Sequence, residues 1–491
     1  MIQDEIVYQI LQDFPFPPTS DQQQALQRFA AFLTDRRAPV AMVLRGSAGT
    51  GKSALAGAMV RTMVRFKQKV QLMAPTGRAA KVFALHAGAS AYTIHRRIYR
   101  ERSFSGPEGS FNLNDNLYAD TLFIVDEASM IANAGSGNAA FGSGHLLNDL
   151  VRYVYQGRNC RLLLVGDHAQ LPPVGESESP ALSAEVLRQM QLQVYEATLN
   201  EVLRQDSRSG ILYNATMIRQ MITHDEETQL PKMHIQGFAD ISVVPGDELI
   251  DTLANSYRDV GTDETMVITR SNKRANIYNQ GIRRQVLDCE DILSGGDIVM
   301  IVKNKYLTPT PATAAKSVPS KGGSAPKLTF IANGDRAVVK RVRNLRQLYG
   351  FHFADVTYSL IDYDRQELTL TTVLETLNTE APALTREQND RLFEQVIADY
   401  ADVPLKADRM KHLKEDDYYN ALQVKFGYAV TCHKAQGGQW AHVYIDQGFM
   451  TEDMLTPDYI HWLYTALTRA TEHVYLVNWP KTQIHQSEAS Q

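Results

Sequence analysis

The amino-acid sequence predicts an α/β protein with two parallel sheets, the second of which is interrupted by a small β-barrel. Three observations support this prediction. Apolar β-rich runs alternate with helical stretches in the first half of the chain, a second set of such runs follows later, and a segment of different character lies within that second set. Alternating strands and helices are typical of a parallel sheet covered by helices.

In the first half, the predicted strands are four apolar runs: Val40–Leu44, Val70–Ala74, Leu122–Val125 and Leu162–Val165. Each run leads directly into a polar or glycine-containing turn. Ligands of open α/β sheets bind at this carboxyl edge. Two insertions accompany these strands, a predicted hairpin over residues 99–118 and a glycine-rich loop over residues 133–144.

In the second half, the predicted strands are Met266–Thr269, Val443–Ile445 and Val474–Val477. Alternating stretches with an Asn-Gly turn predict the inserted barrel. Charged helices are expected over 380–417. The loop Thr308–Pro326 is predicted to be a solvated linker, although its lysines could also contact a polyanion. The predicted domains are therefore 1–205, then 206–295 joined with 426–491, with the insertion at 296–425.

Composition excludes several classes of protein. The chain has 491 residues, of which 44% are apolar and 21% are charged, so we exclude wholesale disorder and fibrous repeats. No apolar run is long enough to predict a membrane span, and the acidic N-terminus does not resemble a secretory signal. Three scattered cysteines argue against a disulfide framework, so a cytoplasmic location is expected. The net charge of −5 still permits a locally basic nucleic-acid channel.

A phosphate-binding loop follows the first predicted strand and precedes a helical run. Its eight residues are Gly46, Ser47, Ala48, Gly49, Thr50, Gly51, Lys52 and Ser53. Glycines allow backbone N–H groups to approach phosphates, and the helix N-terminus favours negative charge. Lys52 would reach the β- and γ-phosphates of ATP, and the Ser53 hydroxyl would ligate Mg²⁺.

Polar residues at the ends of two further strands complete a predicted hydrolysis site. Asp126 would hold Mg²⁺, and Glu127 would act as the base that orients the attacking water. Gln170, in the run G-D-H-A-Q-L-P-P-V-G, could contact both the γ-phosphate and that water. Two prolines follow it, so a movement of Gln170 should be transmitted as a rigid shift.

These motifs together resemble those of superfamily 1B helicases, the RecD/Dda/Pif-type enzymes that move 5′ to 3′ along single-stranded DNA. The resemblance rests on A-P-T-G-R-A-A-K (74–81), T-I-H-R (93–96), D-E-A-S, Q-L-P-P-V, E-V-L-R-Q (201–205), G-Y-A-V-T-C-H-K-A-Q-G-G-Q-W (427–440) and Y-T-A-L-T-R-A (464–470). It implies two RecA-like P-loop motor domains, a strand-separating hairpin in the first and an SH3-like barrel in the second.

The resemblance also implies nucleotide contacts outside the phosphate loop. Gln22 is expected to recognise adenine, with Gln23 and Gln24 as neighbouring alternatives. Arg204 and Arg469 resemble the two arginines that reach the γ-phosphate, a role that suits fixed guanidinium groups. Gln439 stands where many relatives carry a glutamate near the ribose.

The same resemblance places a single-stranded DNA track across both motor domains. The implied contacts are Pro75, Thr76, Gly77, Thr93, His95, Thr431, His433 and Lys434. Hydroxyls, backbone donors and flat groups bind DNA without reading its sequence. The basic clusters Arg96–Arg102 and Arg336–Arg346 could extend the track or form solvated faces. Phe104 or Phe111 could separate strands or simply pack.

The sequence is therefore interpreted as an ATP-dependent DNA helicase with ATP and Mg²⁺ as cofactors. Two alternatives remain open, an RNA or RNA–DNA remodelling ATPase of the same superfamily and a DNA-binding ATPase subunit of a nuclease complex. The expected partners are single-stranded DNA and duplex junctions, with single-strand-binding or repair proteins as further candidates and no membrane. A monomer is expected, because one chain contains every predicted catalytic group.

Overall fold

The computed structural model describes residues 2–37, 39–103, 110–135, 142–201, 208–224, 229–307, 330–361, 363 and 365–485. The chain divides into two compact units. The first contains both parallel sheets and comprises 1–103, 108–275 and 429–491; the second includes 276–428. None of the described helices combines the length and apolar character that a membrane crossing requires.

The first sheet has six parallel strands in the order β3-β2-β6-β7-β1-β8. Its strands are β1 (Val40–Gly46), β2 (Lys69–Ala74), β3 (Ala91–Thr93), β6 (Thr121–Val125), β7 (Arg161–Gly166) and β8 (Gln193–Leu199). Helices α1 (Ile2–Asp13), α2 (Ser20–Thr34), α3 (Lys52–Arg65), α4 (Gly77–Ala87), α5 (Ile94–Ile98), α6 (Leu146–Gln156) and α7 (Ala184–Gln189) accompany it.

Burial on both faces explains why the central strands are continuously apolar. In β1, Met42 and Leu44 pack into one hydrophobic cluster, whereas Ala41 and Val43 pack into another. The first cluster draws on helices α1 to α4 and the second on α5 to α7. A strand covered by helices on both sides needs apolar residues at every position, because successive side chains point to opposite faces.

The second sheet has five parallel strands in the order β18-β10-β19-β20-β9. Its strands are β9 (Ile241–Val244), β10 (Thr265–Thr269), β18 (Ala429–Thr431), β19 (Trp440–Asp446) and β20 (Ala470–Val477). Helices α8 (Gly210–Thr223), α9 (Leu249–Asp259), α10 (Asn272–Gly281), α13 (Cys432–Ala435) and α14 (Pro457–Leu467) belong to this half of the chain.

The second unit contains a closed barrel of five strands in the order β11-β14-β15-β16-β17. The barrel strands are β11 (Ile298–Ile301), β14 (Arg336–Leu348), β15 (Phe351–Leu360), β16 (Glu367–Val373) and β17 (Leu422–Phe426). The unit also contains a two-stranded ribbon, β12 (Lys305–Tyr306) with β13 (Phe330–Ile331), and two helices, α11 (Arg386–Ala398) and α12 (Lys406–Glu415). The unit starts at Asn276, about twenty residues before the predicted insertion. This earlier start is explained by a buried ion pair, because Arg283, before the predicted insertion, binds Asp297 at the start of the barrel at 2.9 Å.

The predicted fold class is confirmed, and each predicted strand lies within an observed one. The edge strands β3, β8, β9 and β18 were not predicted, because they are short or only partly buried. The predicted hairpin is β4 (Tyr99–Ser103) with β5 (Ser110–Leu113). Phe111 packs against the second cluster of the first sheet, which favours the packing interpretation, whereas Phe104 and the loop 308–326 lie outside the described residues.

Candidate nucleotide and nucleic-acid site

The phosphate-binding loop joins β1 to α3 in a conformation that requires its glycines. Gly49 and Gly51 have φ values of 80° and 81°, which favour glycine. A Cβ atom on Gly46 would come within 2.7 Å of Thr50 Oγ1. Lys52 Nζ donates a hydrogen bond to the Ser47 carbonyl at 2.9 Å, so the lysine ammonium folds back over the loop. Ser53 follows at the second position of α3.

Of the three consecutive glutamines, Gln22 is the one that contacts this loop. Its side chain is buried, and its Nε2 donates to the Thr50 carbonyl at 3.0 Å. Its Oε1 accepts from the backbone N–H of Thr19, completing a capping box at the start of α2. Gln23 and Gln24 are exposed. Part of the hydrogen-bonding capacity of Gln22 is therefore used to hold α2 against the loop.

Asp126 and Glu127 lie at the carboxyl end of β6. The Asp126 carboxylate is buried and accepts from the Glu127 backbone N–H at 2.9 Å. Glu127 adopts a left-handed conformation with φ of 52°, which is uncommon for a residue with a side chain. Burial and the neighbouring charge of Glu127 raise the pKa of Asp126 to about 7, although Lys52 opposes this shift.

These oxygen ligands fit a magnesium ion. A hydroxyl at Ser53 and a carboxylate at Asp126 are the hard donors that Mg²⁺ accepts alongside phosphate oxygens and water. Asp126 is a buried acid whose ionised form lacks full compensation from the protein, and a divalent cation would supply it. Among the described residues no group of three or more His, Cys, Asp or Glu forms a metal site.

Residues Asp167–Leu171 follow β7 and are bonded to the second sheet's helices along their length. Tyr464 donates to Asp167 Oδ2 at 2.7 Å, and the Leu171 N–H donates to Thr465 Oγ1 at 2.8 Å. Gln436 Nε2 donates to the Leu171 carbonyl at 2.8 Å. These contacts attach the end of β7 to helix α14 and to the end of helix α13.

Gln170, within this segment, is buried, and its Oε1 has no hydrogen-bond partner among the described residues. An unpartnered buried acceptor is costly, so it is normally satisfied by a ligand or a water. Gln170 therefore has an acceptor available for the chemistry that the sequence predicts.

Tyr464 also reaches the phosphate loop. Its hydroxyl accepts from the Ala48 backbone N–H at 3.0 Å while it donates to Asp167. One buried hydroxyl thus joins the phosphate loop to the end of β7. Tyr464 belongs to the motif Y-T-A-L-T-R-A, but the sequence does not predict this role, because its two partners are about 300 and 400 residues away in the chain.

Arg469 lies just after helix α14 and is buried. Its guanidinium donates to the Thr465 carbonyl at 3.1 Å, to the Gly438 carbonyl at 3.3 Å and to Thr468 Oγ1 at 3.0 Å. All three acceptors are neutral. Arg204 lies outside the described residues. Gln439 is exposed, and its carbonyl accepts from Arg78 Nη2 at 2.9 Å.

The predicted DNA contacts of the first sheet lie at helix starts. Pro75 and Gly77 flank Thr76, which caps α4 through a bond from the Ala79 N–H. Thr93 caps α5 in the same way. The hydroxyl oxygen of each capping threonine accepts a hydrogen bond, and its hydroxyl proton can therefore be donated to another group. Burial lowers the pKa of His95 to about 4, so its ring is neutral at pH 7.

The predicted DNA contacts of the second sheet lie at the end of β18. Thr431 precedes helix α13, which carries His433 and Lys434. Burial lowers the pKa of both the His433 imidazole and the Lys434 ammonium. The two groups of predicted contacts lie close together, because a Cβ atom on Gly437 would stand 3.4 Å from Thr76 Oγ1.

Sequence reasoning missed two arginines in these regions. Arg78 lies 4.4 Å from the centre of the Trp440 ring, so it connects the two halves beside the predicted DNA contacts. Arg219, on helix α8, donates to Ser47 Oγ in the phosphate loop at 2.5 Å. Arg78 stood in a quoted motif, whereas no sequence pattern singles out Arg219.

This arrangement defines a P-loop protein with two RecA-like sheets. An AAA domain model matches residues 18–238, and a UvrD-like helicase C-terminal domain model matches residues 426–477. Together with the motif series, these two matches make the chain similar to the helicases of superfamily 1B, the RecD/Pif-type branch.

Individual relatives are distant or only partly matched. An ATP-dependent RecD2 DNA helicase of Deinococcus radiodurans is 36% identical over 133 residues, which are 27% of this chain and 16% of that relative's length. The uncharacterized protein R530 of Acanthamoeba polyphaga mimivirus is 22% identical over 390 residues, covering 72% of this chain and 74% of that one. A Pif1 helicase from Bacteroides, solved with ADP-AlF3 and single-stranded DNA, aligns over 96% of both chains at 15% identity with a TM-score of 0.48.

Proposed function

We propose that this chain is an ATP-dependent DNA helicase that moves 5′ to 3′ on single-stranded DNA and unwinds duplexes. The observation that carries the proposal is the bonded contact between the phosphate loop, the end of β7 and helix α14, made by the Tyr464 hydroxyl. Nucleotide chemistry at one sheet is thereby joined to a helix of the other. The 36%-identical segment of a DNA helicase supports the same activity.

In the proposed hydrolysis step, the loop amides and Lys52 hold the β- and γ-phosphates of ATP. Glu127 accepts a proton from the attacking water as the bond to the γ-phosphorus forms, and ADP leaves with the bridging oxygen. Gln170 Oε1 accepts a hydrogen bond from the same water. Arg204 and Arg469 neutralise charge on the transferring phosphoryl group. Mg²⁺ held by Ser53 and Asp126 would supply Lewis-acid stabilisation of the phosphate oxygens.

The proposed coupling to DNA passes through the segment Asp167–Leu171. A shift of Gln170 on hydrolysis would move the Leu171 carbonyl, which accepts from Gln436. Gln436 follows directly on the helix that carries His433 and Lys434. Hydrolysis would therefore change the grip of one group of DNA contacts relative to the other, which is what translocation requires.

The proposed DNA contacts suit a sequence-independent grip. Thr76, Thr93 and Thr431 offer hydroxyl donors to phosphates, and His95 offers a neutral flat ring to a base. The direction of movement rests on the resemblance of the motifs to those of the 5′-to-3′ branch. ATP and Mg²⁺ are the proposed cofactors, and a monomer with single-stranded DNA as its partner is the proposed working form.

The test is ATP-dependent unwinding of matched duplexes that carry a single-stranded tail at either the 5′ or the 3′ end. Unwinding only from the 5′ tail, abolished in Lys52→Ala and retained in the exposed-lysine control Lys69→Ala, is the expected result. Unwinding only from the 3′ tail would overturn the direction. Hydrolysis stimulated by RNA tails but not by DNA tails, or DNA binding without hydrolysis, would instead favour one of the two alternative functions.

A further inference from the structure

Arg219 occupies a position beside the phosphate loop that the proposed mechanism does not use. It lies one turn before the end of helix α8, on the side of the second sheet. Its Nη1 donates to Ser47 Oγ at 2.5 Å and to the Asn200 carbonyl at 3.4 Å. The carbonyl of the same serine accepts from Lys52 Nζ at 2.9 Å. The guanidinium of Arg219 is thus attached to the residue that anchors the phosphate-binding lysine.

Among the described residues, the positive charge of Arg219 has no anionic partner. Its side chain is half-buried, and within the described part of the chain no carboxylate lies within ion-pair distance of it. Both of its hydrogen bonds use Nη1 and end on neutral oxygens. Nε and Nη2, which a guanidinium presents as a planar fork to carboxylates and phosphates, have no partner in that part of the protein.

The surroundings of Arg219 belong to the nucleotide site. Helix α8 packs against helix α14, which carries Tyr464. The Tyr464 hydroxyl bonds the Ala48 N–H, so the two helices contact consecutive residues of the phosphate loop. The one contact is made by a neutral hydroxyl and the other by a cation. A cation that is held at a phosphate-binding loop and has no counter-ion among the described residues is placed to bind the anion that the loop receives.

We propose that Arg219 is a third arginine of this site, which binds the γ-phosphate of ATP through Nε and Nη2 while Nη1 keeps its bond to Ser47. This inference rests on the proposed ATPase function. Binding of the γ-phosphate by a residue of helix α8 draws the second sheet toward the loop when ATP is bound and releases it after phosphate leaves. Arg219 therefore distinguishes ATP from ADP.

The test compares nucleotide affinities of the full chain and of the variants Arg219→Gln, Arg219→Lys and Ser47→Ala. Gln keeps a donor for Ser47 but removes the charge, and Lys keeps the charge but not the planar fork. Gln220→Ala is the matched control, because Gln220 is the exposed neighbour on the same helix. Binding of ADP and of the β,γ-imido analogue of ATP is measured by titration with Mg²⁺ present. The kcat and KM for ATP are measured by steady-state kinetics with saturating single-stranded DNA.

We expect Arg219→Gln to weaken analogue binding about tenfold, to change ADP binding less than twofold, and to lower kcat about a hundredfold, an effect typical of removing one charge-stabilising donor. Arg219→Lys should lose less analogue affinity and less kcat than Arg219→Gln. Ser47→Ala should reduce the preference for the analogue over ADP less than Arg219→Gln does. Equal weakening of both nucleotides, the same loss of preference in Ser47→Ala, or no change would overturn the inference. A wild-type chain that hydrolyses no ATP would contradict the proposed function itself.

Discussion

Within the described part of the chain, the two sheets of the first unit contact each other in two regions of different chemistry. Beside the phosphate loop the contact is made of hydrogen bonds, with the buried Tyr464 hydroxyl between the Ala48 N–H and the Asp167 carboxylate at its centre and the half-buried Arg219 guanidinium on Ser47 at its edge. Beside the predicted DNA contacts, Arg78 donates a hydrogen bond to the Gln439 carbonyl and lies over the Trp440 ring in a cation–π interaction. The first contact allows one geometry, whereas the second tolerates small displacements.

This difference indicates which contact can transmit a change in the bound nucleotide from one sheet to the other. A buried hydrogen bond that is lost leaves both partners unsatisfied, so the network favours discrete arrangements over intermediate ones. A guanidinium on an aromatic face keeps most of its attraction when it slides, because the interaction varies slowly with position. A motor needs the first property where ATP binds and the second where the DNA advances.

Three further variants probe this comparison, and the largest effect among them is expected from removing the shared hydroxyl. Tyr464→Phe leaves the Ala48 N–H and the Asp167 carboxylate without their common partner, so we expect DNA-stimulated ATP hydrolysis to fall about thirtyfold, equal to about 2 kcal/mol. Steady-state kinetics measure this loss. Tyr459→Phe is the control, because Tyr459 lies on the same helix, is also buried and bonds Gln447 instead. Equal losses in the two variants would mean that the network has no special role.

A smaller effect concerns the carboxylate beside the same loop. Burial and the charge of Glu127 raise the pKa of Asp126 to about 7. An acid with a raised pKa holds its proton below that pH, and metal binding requires the ionised form. Mg²⁺-dependent binding of ADP should therefore be about tenfold weaker at pH 6 than at pH 8, with proton release near pH 7.

Titration calorimetry in two buffers of different ionisation enthalpy measures this proton release directly. In Asp126→Asn the affinity should be weak at both pH values and should lose its pH dependence. A pH dependence that survives unchanged in Asp126→Asn would assign the titration to another group.

The smallest expected effect lies at the exposed contact. Arg78→Lys keeps the charge but loses the planar group that lies over Trp440, so we expect single-stranded DNA affinity and unwinding rate to fall about threefold, or less than about 1 kcal/mol. Fluorescence anisotropy with a labelled oligonucleotide measures the affinity. A loss as large as that of Tyr464→Phe would contradict the distinction between the two contacts.

Much of the fold could be predicted because its signals are local. The central strands are continuously apolar and the phosphate loop has glycines at 46, 49 and 51, two of which have positive φ. The edge strands β3 and β18 were missed, since three residues carry too little pattern. The start of the barrel unit could not be predicted from local sequence, because Arg283 is attached to the barrel by a buried ion pair with Asp297.

The sequence by itself determined the fold class and the identity of the phosphate loop, because spacing of glycines and apolar residues acts through the local backbone. The candidate roles of Asp126 and Gln170 also follow from their places after strand ends, and that of Lys52 from its place at the start of α3. Only the tertiary structure decided that Gln22 rather than its neighbours contacts the loop, and that Tyr464 and Arg219 reach it. Those contacts join residues 28, 416 and 172 positions apart, and packing alone brings such distant side chains together.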